Sequence, residues 1–61
     1  MKVKEIIKII EKDGWILSRT RGSHRQYKHR TKRGTVTIAG QPNDELHPKT
    51  ERSILIQAGL K

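Results

Sequence analysis

Apolar residues near the start of the chain fall at Val3, Ile6, Ile7 and Ile10. That i, i+3, i+4, i+7 spacing puts them on one stripe of an α-helix. Lys4, Lys8 and Lys12 line the other side, so the spacing predicts an amphipathic helix over residues 2–13. Asp13-Gly14 ends it, because glycine accepts the left-handed position after a helix and lets Trp15 fold back on Ile10. Ile9 lies off the stripe and reads as an ordinary exposed residue.

The period then shortens. Trp15 to Thr20 reads as a strand that starts apolar and ends polar, and Arg21-Gly22-Ser23 as a tight connection. His24 to Arg30 follows the two-residue period of a second strand. With Tyr27 turned to the core, Arg25 and His29 share its face, and His24, Gln26, Lys28 and Arg30 share the opposite one. Thr31-Lys32-Arg33-Gly34 has the composition of a hairpin turn. Thr35 to Ala39 alternates, with Val36 and Ile38 inward. Gly40 to Glu45 is loop by composition. The last helix begins at Pro48, a favoured first-turn residue, or at Thr50 if that hydroxyl caps it. Ile54, Leu55 and Ala58 form its buried face. Gly59-Leu60 repeats the ending of the first helix, with Leu60 in reach of Leu55.

The order is α-β-β-β-α. Three consecutive antiparallel strands between two one-sided helices imply an α+β fold, a two-layer sandwich with both helices on one face of the sheet. The other face is then open to solvent, and it carries His24, Gln26, Lys28 and Arg30. Sixty-one residues make a single domain, 1–61. At this size folding buries only about 60% of the unfolded chain's surface. With 31% hydrophobic residues and no Phe there is no room for a deep cofactor pocket. The absence of cysteine excludes disulfides and thiolate metal sites, and fits a cytoplasmic protein. The apolar run Ile6–Ile10 is too short for a signal peptide or a membrane span.

Charge changes the picture more than composition does. The net charge is +8 and the isoelectric point about 10.5. Arg19, Arg21, Arg25, Lys28, Arg30, Lys32 and Arg33 fall in one stretch without an acid, while the rest of the chain nearly balances. Such a field selects a polyanion: nucleic acid first, then an acidic protein or anionic lipid.

Within that field Gly22-Ser23 delivers His24. Histidine is the side chain whose ordinary pKa, about 6.5, suits proton transfer near neutral pH. RNA brings its own nucleophile, the 2′-OH. Cleavage therefore needs a base for that proton, cations for the phosphorane and an acid for the leaving oxygen. His24 could be the base, with Arg21, Arg25 or Lys28 steadying the charge. The plainer alternative is a polar strand residue bonded to phosphate. His29, before a basic turn, and His47, before a helix-starting Pro, read as structural or solvated. Three histidines with no carboxylate at ligand spacing imply no metal site. Asp44 and Glu45 suit helix capping or solvation. Ser23 and His24 are adjacent on a strand, point to opposite faces and make a poor nucleophile pair. Arg19, Arg21, Ser23, Arg25, Lys28, Arg30, Lys32 and Arg33 are the candidate RNA contacts.

Gly14-Trp15, Arg19, Gly22-Ser23-His24, Tyr27, the Val36/Ile38 strand and the closing Ser53-Ile54-Leu55-x-Gln57-Ala58-Gly59-Leu60 together resemble the HicA family of toxin–antitoxin mRNA interferases. The likeness spans essentially the whole chain. It implies a double-stranded-RNA-binding-domain-like fold and metal-independent cleavage of mRNA, with no cofactor. It also puts the catalytic role on His24 and implies a HicB-type antitoxin that covers the active face. Two motifs differ. Some members carry Pro-x-His after the third strand, where this chain has Ala39-Gly40-Gln41, leaving the general acid unassigned. Members often open the last helix with Gly-Thr-Leu, where this chain has Lys49-Thr50-Glu51. A non-catalytic RNA-binding module and a protein-interaction domain meeting an acidic partner are the two rival functions. The first would bind RNA and leave it intact. The second would bind no RNA once its partner is removed.

Overall fold

A computed structural model describes residues 1–61. Five elements follow in order: α1 (Val3–Lys12), β1 (Ile16–Arg21), β2 (His24–Lys28), β3 (Val36–Ala39) and α2 (Pro48–Gln57). The strands form one antiparallel sheet in the order β1-β2-β3. This is the α-β-β-β-α layout expected from the hydrophobic pattern.

Register decides which residues share a face, because cross-strand partners project to the same side. Tyr27 pairs with Leu17 and Val36, and Arg25 pairs with Thr20 and Ile38. Tyr27, Val36 and Ile38 are buried and meet Val3, Ile6 and Ile10 of α1 and Ile54 and Ala58 at α2. Both helices therefore lie on this one face. Trp15 completes the nine-residue core, and Ile7 and Leu55 pack half-buried at its margin.

Both helices stop in the same way. The Trp15 N–H donates to the Ile10 carbonyl at 3.1 Å and the Gly14 N–H to Glu11 at 3.0 Å. After α2, the Leu60 N–H donates to Leu55 at 2.8 Å and the Gly59 N–H to Ile56 at 3.0 Å. These pairs are the 6→1 and 5→2 bonds of the Schellman ending, which satisfies carbonyls the helix leaves free. Gly14 has φ +106°, and a Cβ there would lie 2.8 Å from His29 Nε2, so no larger residue fits.

The helix starts are less regular. At α1, the Lys2 N–H donates to the Glu5 carboxylate at 2.8 Å. The Val3 and Lys4 N–H groups donate to the carbonyls of Asp44 and Pro42. At α2 the cap is His47, whose Nδ1 accepts from the Lys49 N–H at 3.1 Å. Pro48 thus opens the helix, and Thr50 lies inside it.

The clearest departure from the sequence pattern is β2. It ends at Lys28 instead of running to Arg30, and residues 29–35 form a loop. The cause is His29. Its ring packs edge-on against Trp15, centroids 5.2 Å apart. Its Nδ1 accepts from the N–H groups of Thr31 and Lys32, each at 3.1 Å, so Nε2 carries the proton and donates to the Asp13 carbonyl at 2.7 Å. One imidazole thereby replaces the backbone pairing that would have extended the strand.

Candidate nucleic-acid interface

The site begins at a two-residue turn. Arg21 pairs with His24 across Gly22-Ser23. Gly22 has φ +60° and Ser23 does not take a positive φ. That combination is a type II′ hairpin turn, the geometry that suits the twist of the flanking strands. A Cβ on Gly22 would meet nothing, so glycine is required there for its backbone alone.

The turn launches His24 on the face opposite Tyr27. His24 lies in the central strand, between Arg21 on β1 and Ala39 on β3. The next row on that face is Arg19, Gln26 and Thr37, and beyond it Lys28 pairs with Ile16. No acid stands in these three rows. His24, Arg19, Arg21 and Lys28 are all exposed, and Gln26 is half-buried.

Arg19 and Arg21 reach this face through a β-bulge. Simple alternation along β1 would put Leu17, Arg19 and Arg21 on one side. Leu17 instead pairs with Tyr27 and Arg19 with Gln26, so the register shifts between them and Ser18 is the extra residue. The bulge moves two arginines from the helix side to the His24 side. Nothing in the residue types around Ser18 announces it, which is why the sequence pattern left the arginines unassigned to a face.

The seven cations of the basic stretch have separate fates. Arg19, Arg21, Lys28, Arg30 and Arg33 are exposed, the last two in the 29–35 loop. Arg25 lies on the helix side and donates to the Gly40 carbonyl at 2.8 Å, tying β2 to the turn after β3. Lys32 pairs with the Asp13 carboxylate and donates to the Ala58 carbonyl at 3.0 Å. It thus sits where α1 and α2 both end, the favourable place for a cation in the field of two helix dipoles. The Lys32 hydrogen bond holds the Asp13 carboxyl below its ordinary value. Arg25 and Lys32 hold the fold and are drawn away from the His24 face. Ser23 is exposed in the turn, and its carbonyl accepts from the Gly40 N–H at 3.1 Å.

The three histidines separate just as sharply. The ring nitrogens of His29 are committed on both sides, and His47 Nδ1 caps α2. His24, like His47, is exposed, but it alone of the three stands on the open sheet face among cations. No three His, Asp or Glu side chains converge into a cluster that could hold a metal ion.

A small α+β domain with the double-stranded-RNA-binding-domain layout, presenting one free histidine on a bare basic sheet, defines the class. Residues 3–60 match the HicA toxin family of bacterial toxin–antitoxin systems; the chain belongs to that family. A solved toxin–antitoxin complex from Streptococcus pneumoniae contains a chain 39% identical to this one, with a TM-score of 0.80 over 98% of each chain. Comparison with curated proteins gives no match.

Proposed function

We propose that this HicA-family toxin is an endoribonuclease that cleaves mRNA, with His24 as general base. The observation that carries this reading is the exposed imidazole beside Arg21, in the middle strand of a face without acids. The neutral His24 ring takes the proton of a ribose 2′-OH. The 2′-oxygen bonds to the adjacent phosphorus, and the bond from phosphorus to the 5′-oxygen breaks. A 2′,3′-cyclic phosphate and a free 5′-OH result. Arg21, and Arg19 one row away, balance the charge that grows on the phosphoryl oxygens. The face offers no second imidazole or carboxyl, so the departing oxygen takes its proton from water. A single positioned base contributes roughly 10²–10⁴ in rate, which makes this a slow nuclease. The chemistry asks for no metal.

The same face suits a HicB-type antitoxin. A bare sheet bearing several unpaired cations needs an acidic cover, and the Streptococcus pneumoniae relative belongs to a toxin–antitoxin complex. On this reading antitoxin and mRNA exclude one another. On this reading the protein acts in the cytoplasm, where mRNA is translated. No helix is long and apolar enough to cross a membrane.

Paired induction of wild type and His24→Ala tests the assignment, with growth and total mRNA integrity as readouts. The wild type degrades mRNA, in vitro also with a chelator present, and the variant loses at least a hundredfold in rate. Circular dichroism confirms that the variant is folded, as expected for an exposed residue. If the wild type binds mRNA and leaves it intact, the domain is a binding module and His24 only a phosphate contact.

A further inference from the structure

We infer that the cavity at the far end of the β1–β2 ladder from His24 is a subsite for one unpaired nucleobase of the bound RNA. The inference rests on the RNA-cleaving function proposed above and adds a place where a base is held. The cavity has a volume of about 300 Å³ and is lined by Ile16, Leu17, Ser18, Lys28, His29 and Arg30. It is a shallow depression wide open to solvent, a shape that suits a flat ring lying on the surface. Its apolar lining is unusual for an exposed edge: Ile16, on the His24 face, is 60% exposed, and Leu17, which projects to the other side of this edge strand, is 47% exposed.

Three features match the chemistry of a nucleobase. Exposed aliphatic side chains give the flat π-face of a base an apolar surface to lie on. Arg30, in the loop just past β2, brings a planar guanidinium that stacks on bases, and Lys28 offers an ammonium for the adjoining phosphate. Ser18, the bulged residue, also lines the cavity, and its hydroxyl is a hydrogen-bonding partner of the kind a base edge takes. An acidic peptide would suit the cations as well. RNA is favoured by continuity, because Ile16 and Lys28 are a cross-strand pair on the His24 face itself. Lys28 stands four residues along β2 from His24, about 13 Å of strand, a distance that extended RNA covers in a couple of nucleotides. A strand whose scissile phosphate sits at His24 therefore carries a neighbouring base to the cavity.

The test uses a short single-stranded oligoribonucleotide made uncleavable by 2′-O-methyl groups, with one abasic residue moved along it. Binding to the wild type falls roughly tenfold when the abasic residue reaches the position held by the cavity. Ile16→Ala weakens the intact oligonucleotide by a similar factor and makes that abasic position silent. Ile16→Phe, which offers a flat face, restores or tightens binding. Ile16→Ala leaves the salt dependence unchanged, since no phosphate contact is lost. Ile16 is exposed, and circular dichroism verifies that both variants fold. If the wild type cleaves RNA while abasic position and Ile16 substitution act independently, the subsite is disproved and the nuclease assignment stands. If Ile16→Ala changes only affinity for the antitoxin, the cavity is a peptide-docking site and the inference fails. If the wild type neither binds nor cleaves RNA, both assignments fall together.

Discussion

The Asp13 carboxylate meets the Lys32 ammonium at the point where both helices end, with the Ala58 carbonyl and the His29 ring close by. Each of these side chains looks dispensable in the sequence: a helix-ending acid, one lysine in a basic run and a strand-end histidine. Together they pin the 29–35 loop to the helix layer. The titration of Asp13 makes the link measurable. Lys32 lowers the carboxyl below its ordinary 3.8 in the folded protein, so the unfolded chain binds the proton more readily. The Asp13 contribution to stability is therefore fully present above about pH 4 and is lost as pH falls through the depressed folded value. Thermal melts from pH 2 to 6 check this. Asp13→Asn is less stable than wild type at pH 6, and the gap closes on acidification. A gap that persists unchanged at pH 2 would show that the charge of Asp13 is irrelevant to the clamp.

Strand β1 shows what an element's sequence does and does not disclose. The helices were legible because periodic apolar stripes and Gly14 and Gly59 endings are local signals, and β3 because Val36 and Ile38 alternate without interruption. The His24 face was legible in β2 because Tyr27 sets the parity. Three things were not. The bulge at Ser18 arises from pairing with β2, and no residue type marks it. The end of β2 is set by a histidine that finds Trp15 and Asp13 only after folding. Arg25 and Lys32 look like surface cations until Gly40, Asp13 and Ala58 claim them. All three depend on distant contacts. If Ser18 is the extra residue, deleting it gives the regular register Leu17–Tyr27, Arg19–Gln26, and both arginines keep their face. The deletion variant should then stay folded, with a melting midpoint within about 5 °C of wild type, equivalent to roughly 1 kcal/mol or less in a domain this small. It should also keep the His24-dependent cleavage proposed above. Unfolding on deletion would mean that the bulge supplies twist the sheet requires.

For the molecule as a whole, a net charge of +8 overstates the field that the RNA of the proposed function would meet. Two half-buried cations of the basic stretch, Arg25 and Lys32, are engaged in intramolecular hydrogen bonds, and five remain exposed: Arg19, Arg21, Lys28, Arg30 and Arg33. Only the exposed ones release counterions when a phosphate arrives. On a single strand each contact contributes about −0.7 to the slope of log K against log salt, so five give a slope of about −3.5. The distinction between exposed and committed cations can be read from that slope. Arg19→Ala makes it shallower by about 0.7, whereas Lys32→Met leaves it unchanged although it removes the same formal charge and loosens the helix clamp. Binding isotherms of folded protein at several salt concentrations decide the matter. Equal changes for the two substitutions would mean that RNA senses net charge alone. Unequal changes would mean that it senses the arrangement made by one bulge, one hairpin turn and three internal hydrogen bonds, the same arrangement that leaves His24 exposed among the cations.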